Sequence, residues 1–225
     1  MIREKILKTL FILSGLALYS SSSIVNAGAI LSATSGTINS GGPGFGTLTE
    51  TFDQSGLSVG YTSGVTDFDA YIASGPTHTD TFGGFEWFSN SGTSSASVTY
   101  DLGGIFSIDA LALWNEESSG IGSLDLLTST DGVTFTSLVS GLLPTDHFAG
   151  AYSADVFNFS AVNAQYIQFD MSGCPQPNVG SFSACSIGEV AFREAGAAQV
   201  PVPGTIVLLG LGIAGLGSIR RKRTN

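Results

Sequence analysis

The chain has 225 residues, of which 43% are hydrophobic and 12% charged, with 30 glycines and a formal net charge of −10. This composition excludes a disordered chain, which would be highly charged and poor in apolar residues, and it fits one β-rich domain with many tight turns. Between positions 28 and 199, 17 acidic residues face a single basic residue, Arg193. Such a body repels nucleic acid, so we expect no nucleic-acid partner. Its acidity suits a neutral partner, a cation, or solubility alone.

The first 27 residues have the three parts of a secretory signal peptide. The positive start consists of Arg3, Lys5 and Lys8. A short apolar run over 10–18 follows, and Val25 and Ala27 then supply small residues at the −3 and −1 positions. This order predicts an exported protein that is cleaved before Gly28.

Residues 28–195 show period-2 alternation and almost no helical periodicity. We predict strands over 97–102, 108–114, 123–128, 133–139, 152–159, 165–171 and 187–192. The pair Asp131 and Gly132 predicts a tight hairpin turn, and the Gly-rich stretch 38–46 is predicted to be a loop. Short, evenly spaced strands with Gly-rich turns predict an all-β fold, an antiparallel β-sandwich or jelly roll.

The two cysteines, Cys174 and Cys185, lie in one stretch rich in Gly, Pro, Ser and Asn. In an exported chain, a close pair of this kind predicts a disulfide that closes a loop. The alternative is a two-thiol metal site, but the stretch lacks further Cys or nearby His.

The C-terminal segment 200–225 follows a short linker at 196–199. No charged residue occurs over 200–219, and a helix of this length matches the thickness of a hydrocarbon core. The positive-inside rule keeps the residues that follow in the cytoplasm: Arg220, Arg221, Lys222 and Arg223. We therefore expect a transmembrane helix over 204–219 that anchors the protein in the membrane, with the body on the outer side.

A Pro-containing motif precedes this apolar Leu/Gly-rich stretch and its Arg-rich tail; its residues are Pro201, Val202, Pro203, Gly204 and Thr205. In this three-part order the segment resembles the PEP-CTERM sorting signal, with Val202 where the family usually has Glu. The resemblance implies processing by an exosortase-like membrane enzyme and a Gram-negative or cyanobacterial host that makes exopolysaccharide. The mature protein would stay anchored or be released to the cell surface or matrix.

Five short segments of the body come in a distinctive order, at 98–103, 108–111, 129–135, 164–169 and 187–192. In order and spacing they resemble the discoidin or galactose-binding-like family (the factor 5/8 C-type domain). The resemblance implies an eight-stranded jelly roll. It also implies a non-catalytic binding module for glycans or membranes, often with a structural calcium ion.

In such modules the loops at one end of the sandwich form the ligand site, where aromatic rings stack on sugars and carboxylates and amides hold the hydroxyls. The candidates for this site are Trp87, Phe88, Trp114, Asn115, Glu116 and Glu117. For the tryptophans the alternative is a place in the core, because a Trp on a period-2 strand often packs inward.

The same resemblance implies that Glu189, near the last strand, binds the calcium ion together with a loop that supplies Asp69, Thr77 or Asp80. Calcium takes six to eight oxygen ligands at once. The alternatives for Glu189 are a solvated surface acid and a salt bridge to Arg193.

The sequence contains no His-Glu-x-x-His zinc motif, and its two histidines, His78 and His147, stand in loop-like stretches. We expect a protein that is not an enzyme and that binds extracellular polysaccharide or a surface glycan. The alternatives are a structural matrix or surface-coat protein without a ligand pocket, and an extracellular glycan hydrolase.

Overall fold

The structure, a computed structural model, describes residues 28–178 and 182–196. The predicted signal peptide, the sorting motif and the helix over 204–219 lie outside these residues. Within 28–178 and 182–196, no helix is long and apolar enough to cross a membrane.

Strands dominate the described part of the chain. In chain order they are β1 (Ile30–Leu31), β2 (Ser35–Ser40), β3 (Thr77–His78), β4 (Trp87–Phe88), β5 (Ser95–Trp114), β6 (Ser123–Ser129), β7 (Thr136–Leu142), β8 (Tyr152–Ser153), β9 (Asp155–Ser172), β10 (Ser186–Ile187) and β11 (Glu189–Glu194). A 3-10 helix (Leu48–Thr51) and one α-helix, α1 (Phe68–Ala73), lie between β2 and β3.

The two long strands β5 and β9 each run through both layers of the fold. Their pairing register shifts between Asp101 and Phe106, where the pair bends. Before the bend, β5 pairs with β2, and after it β5 pairs with β11, which in turn pairs with β1. The C-terminal half of β9 also pairs with β6, and β6 pairs with β7. Every pairing in this path is antiparallel.

The two layers face each other across one hydrophobic core. Phe169 on β9 contacts Tyr100 from its own layer, with ring centroids 5.1 Å apart, and Phe192 from the opposite layer, at 6.4 Å. All three rings are fully buried, and burying side chains of this size contributes about 1.5–3 kcal/mol each. The predicted all-β, antiparallel sandwich is thereby confirmed.

The layer formed by β1, β11 and the C-terminal half of β5 is also covered on its outer face. Trp114, at the end of β5, packs there with Phe68 and Tyr71 of α1. The helix begins after Asp67, whose carboxylate accepts a hydrogen bond from the Ala70 N–H at 2.6 Å. Sequence periodicity does not predict α1, because six residues are too few to show a 3.6-residue repeat.

Several predicted boundaries are wrong. The segments 97–102 and 108–114 form one strand, and the predicted loop 38–46 begins inside β2. The predicted strands 152–159 and 165–171 lie mostly within the single strand β9. Strand β7 starts later than the predicted 133–139, because Asp131 holds the preceding residues in the turn. Its Oδ1 accepts the N–H groups of Val133 at 2.9 Å and Thr134 at 2.8 Å.

Candidate functional site

Both ends of β5 lie at the same end of the sandwich, because the strand bends in its middle. Just before β5, the Ser94 carbonyl accepts the Cys174 N–H at 3.3 Å. At the other end of β5, the Trp114 carbonyl accepts the Gly188 N–H at 3.0 Å. The loops before and after β5 and the loop before β11 therefore meet here, and we call this the loop end.

A disulfide joins Cys174 to Cys185 at the loop end, which confirms the predicted pair. The backbone of Cys185 is also bonded twice to Ser89. The Cys185 N–H donates to Ser89 Oγ at 2.8 Å, and the Ser89 N–H donates to the Cys185 carbonyl at 2.8 Å. The disulfide loop is thereby fixed beside the residues that follow β4.

A cleft of about 390 Å³ opens between these segments. The ring of Phe88 lies between those of Phe45 and Phe182, with centroids 6.5 Å and 5.1 Å away. Phe88 is buried, whereas Phe45 is 73% and Phe182 42% exposed. The polar part of the lining comes from Ser89, Asn90, Ser91 and Ser183. We call this the aromatic cleft.

The segment 41–46 is bonded firmly to the strand beneath it. Phe45 and Phe88 exchange backbone hydrogen bonds of 2.9 Å and 2.8 Å. Asn90 accepts from the Gly44 N–H at 3.0 Å and donates to the Gly42 carbonyl at 2.7 Å. Gly44 has φ +75°, and a Cβ there would lie 1.7 Å from the Phe88 carbonyl oxygen, so only glycine fits.

Of the predicted ligand residues, Phe88 lines the cleft, while Trp87 lies beneath it. The Trp87 ring is fully buried in the core, and its Nε1 donates to the Pro43 carbonyl at 2.9 Å. Trp87 therefore supports the segment that carries Phe45. Trp114 is also fully buried and donates to the Pro76 carbonyl at 3.1 Å. The ligand contacts predicted for the two tryptophans stay untested.

Asn115 also faces inward. Its side chain accepts from the Ile121 N–H at 2.8 Å and donates to Gln176 Oε1 at 2.8 Å and to the Thr145 carbonyl at 3.0 Å. These bonds join three loops, so Asn115 organises the loop end from inside.

Glu116 and Glu117 are buried rather than displayed on a rim. Glu116 accepts from the N–H groups of Ser118 and Ser119, at 3.0 Å and 2.6 Å. Burial, and next the contact with Glu117, raise the pKa of Glu116 to about 8. Glu86 is buried nearby, and burial raises its pKa too. We call Glu86, Glu116 and Glu117 the buried acidic cluster.

The four predicted calcium ligands have separate partners. Asp69 pairs with Arg193 at 2.9 Å, Thr77 lies in β3, and Asp80 accepts from the Gly83 N–H at 3.0 Å. Across the described residues, no group of three or more His, Cys, Asp or Glu side chains is arranged to hold a metal ion. Calcium at Glu189 stays a prediction.

Glu189 is fully buried, and its carboxylate accepts from the Gln54 N–H at 3.2–3.3 Å. Burial raises its pKa well above the usual value, and the charge of Asp53 raises it further. The predicted alternative of a salt bridge to Arg193 is wrong, because Arg193 binds Asp69 and Asp109 instead.

The structure also shows the surroundings of two residues that could serve in catalysis, His78 and Ser58. His78 is buried between the Ser55 carbonyl, at 3.0 Å, and the Tyr152 hydroxyl, at 3.1 Å. A Gly-x-Ser-x-Gly sequence at 56–60 lies in a loop rather than in the strand-to-helix turn that exposes a nucleophilic serine. There Ser58 Oγ accepts the Thr77 N–H at 2.9 Å, so Ser58 bonds this loop to β3.

Residues 199–222 match the model of the PEP-CTERM protein-sorting motif. This confirms the predicted sorting signal in the sequence, and it implies an exported protein that is processed at the membrane. The match covers only the C-terminal segment. No curated protein matches the chain.

Solved carbohydrate-binding modules resemble the domain weakly. A mutant of chitosan-binding module 1, from a chitosanase/glucanase of Paenibacillus sp. IK-5, is 19% identical over 74% of this chain and 98% of its own, with a TM-score of 0.48. The CBM32 of AlyQ, in complex with 4,5-unsaturated mannuronic acid, is 18% identical over the same shares, with a TM-score of 0.46. A Clostridium perfringens CBM32 in complex with GalNAc-β-1,3-galactose is 18% identical over 48% of this chain and 74% of its own, at 0.40. These similarities are too low to transfer a ligand.

Proposed function

We propose that this domain is a non-catalytic module that binds polysaccharide outside the cell, with the aromatic cleft as its binding site. The observation that carries the proposal is the exposure of Phe45, at 73%, and of Phe182, at 42%, on either side of the buried Phe88. A sugar ring has an apolar C–H face that packs on aromatic rings and hydroxyls that bond to amides and serines. The cleft offers both kinds of surface.

The rigidity of the cleft supports the same function. Phe45 is held by two backbone hydrogen bonds, and the segment that carries Phe182 is tied through Cys185 to Ser89. Rings that are already in place lose little conformational freedom when a ligand binds, so less of the binding free energy is lost. A structural coat protein has no need of such a cleft.

The two terminal segments of the chain indicate where in the cell the domain works. We propose that the signal peptide over 1–27 exports the chain and that the helix over 204–219 holds the body outside the membrane until an exosortase-like enzyme processes it. The sorting-motif match supports this order. The polysaccharide would then be an extracellular or cell-surface one.

The test is a binding titration of the full chain, purified in mild detergent, against soluble polysaccharides. We expect saturable binding that falls at least tenfold in Phe45→Ala and in Phe182→Ala. The matched control is Phe148→Ala, because Phe148 is 80% exposed but does not line the cleft. Equal losses in all three variants, or no binding by the native chain, would overturn the proposal.

The same samples separate the alternatives. Self-association without saturable glycan binding would favour a coat protein. Release of reducing sugar from the polysaccharide would favour a hydrolase.

A further inference from the structure

We propose that Glu116 and Glu117, together with the hydroxyl groups of Thr81 and Ser118, form a binding site for a hard divalent cation such as Ca²⁺. The site joins the loop after β3 to the loop after β5. It stands apart from Glu189, where the calcium ion was predicted.

Four oxygen atoms converge at this point. Thr81 Oγ1 lies 2.7 Å from Glu117 Oε1 and 2.9 Å from Ser118 Oγ, and it also contacts Glu116 Oε1. Ser118 Oγ lies 2.9 Å from the same Glu116 oxygen. These oxygens are linked to one another by hydrogen bonds, and carboxylate and hydroxyl oxygens are the kinds of donor that a hard cation takes.

Unpartnered buried oxygens provide a second, independent observation. Within the described residues, Glu117 Oε2 and Glu86 Oε1 have no hydrogen-bond partner, although these residues are only 5% and 3% exposed. Buried carboxylate oxygens are normally hydrogen-bonded or bound to a metal, because leaving water without a partner is costly. An ion bound beside Glu117 would compensate its free oxygen, whereas Glu86 Oε1 lies 3.5 Å from His78 Nδ1.

The body itself supplies almost no compensating positive charge. Its one basic residue, Arg193, is already paired with Asp69 and Asp109. His78 lies 3.5 Å from Glu86, on one side of the cluster. The remaining compensation must come from solution, as a proton or as a metal ion.

The donor set also indicates what kind of site this is. Two carboxylates and two hydroxyls leave several positions of a calcium ion to carbonyl oxygens and water. Ligand number and charge set calcium affinity, so two carboxylates indicate an exchangeable site that responds to millimolar concentrations.

Occupancy of this site would stiffen the aromatic cleft, a consequence that rests on the proposed function. The loop that contains Thr81 leads directly into β4 and Phe88. On the other side, Ser119 Oγ donates to the Phe182 carbonyl at 2.5 Å. An ion held between Thr81 and the residues next to Ser119 therefore connects both walls.

The test is thermal unfolding of the full chain in EDTA and then in millimolar CaCl₂, with MgCl₂ and NaCl as comparisons. We expect calcium to raise the unfolding midpoint by several degrees, since binding to the native state alone stabilises it. Glu117→Gln should abolish this shift and Thr81→Val should reduce it. The matched control Glu194→Gln, at the far end of β11, should keep it.

Direct calcium titration by calorimetry provides a second measurement for any variant that unfolds early. No calcium binding and no shift in the native chain would overturn the site and leave glycan binding by the cleft unaffected. A response that survives Glu117→Gln but is lost in Glu189→Gln would place the ion at Glu189 instead. Calcium binding in a chain that binds no polysaccharide would support the site and contradict only the proposed function.

Discussion

Trp87 and Pro43 are joined by a hydrogen bond of 2.9 Å from the indole Nε1 to the proline carbonyl. Trp114 makes the same kind of bond, at 3.1 Å, to the carbonyl of Pro76. Both rings are fully buried, Trp87 in the core between the layers and Trp114 against α1. They differ in what they support, because only the first bond lies under the aromatic cleft.

This pair provides a matched test. Replacing either tryptophan with phenylalanine removes the donor of this hydrogen bond and shortens the ring, which should lower the free energy of unfolding by about 1–3 kcal/mol. We expect Trp87→Phe to weaken polysaccharide binding severalfold and Trp114→Phe to leave it unchanged. Urea unfolding and binding titrations measure the two effects. Equal losses of affinity would contradict a specific role of Trp87 beneath the cleft.

Gly44→Ala should disrupt the cleft through a direct collision. The new Cβ would lie 1.7 Å from the Phe88 carbonyl oxygen and break the bonds between Phe45 and Phe88. The control is Gly64→Ala, because Gly64 also has a positive φ, +74°, but no atom within 4 Å of its added Cβ. We expect the control to lose about 1 kcal/mol of stability and to bind normally. Gly44→Ala should lose more stability and most of its binding, as measured by the same two methods.

Removal of the disulfide should affect both stability and affinity. The double variant Cys174→Ala/Cys185→Ala frees a short loop in the unfolded chain and should lower the free energy of unfolding by about 2–3 kcal/mol. It should also weaken binding, because Cys185 positions the segment of Phe182 through Ser89. Reduction of the native chain with dithiothreitol should reproduce both losses. Unchanged affinity in both samples would mean that other contacts suffice to position the segment of Phe182 without the disulfide.

Stability in EDTA should fall as pH rises, because Glu189 is buried and carries a raised pKa. An acid whose pKa is higher in the folded state binds its proton more tightly there, so its contribution is complete below the ordinary glutamate pKa. That contribution is lost as pH rises from this value towards the raised one. The groups around it, the Gln54 N–H and the side chains of Asp53 and Tyr61, supply no positive side chain. Glu189→Gln should flatten the decline in urea unfolding from pH 5 to 8, and an unchanged slope would show that other acids cause it.

The charge of the polysaccharide should affect binding. Seventeen acids against one base in the body repel a polyanion and attract a polymer that carries amines. We expect a glucosamine polymer to bind more tightly than a uronic acid polymer, with a difference that shrinks as salt rises from 0.02 to 0.5 M, since screening shortens to a few ångströms. An N-acetylated polymer, which lacks the charge, is the control. Tighter binding of the uronic acid polymer would show that charge does not govern the choice.

The sequence predicted the strands well where local alternation is clear, as at 97–102 and 108–114. It divided β5 at 103–107, where Gly103 and Gly104 lie at a bend within one strand. Alternation reports which side of a strand is buried, but it does not report where a strand continues past a bend.

The aromatic cleft was predicted only through Phe88. Phe45 stands in a Gly-rich segment and Phe182 in a Ser-rich one, so neither belongs to a periodic pattern. Their proximity depends on bonds between residues far apart in sequence, such as Ser89 with Cys185. Polar Glu116 and Glu117 were expected at the surface, and only the folded loops bury them. The scarcity of basic residues is the sequence feature that favours the proposed cation site.

The bend of β5 also determines how the domain would carry mechanical load. The aromatic cleft lies at the loop end, whereas the described chain finishes near the bend, where the Ala195 N–H donates to the Ser107 carbonyl at 2.7 Å. With the proposed anchor beyond residue 196, a polysaccharide bound at the cleft and pulled away from the cell would stretch the sandwich along its strands. The hydrogen bonds of β11 with β5 would then be sheared together, not opened one after another.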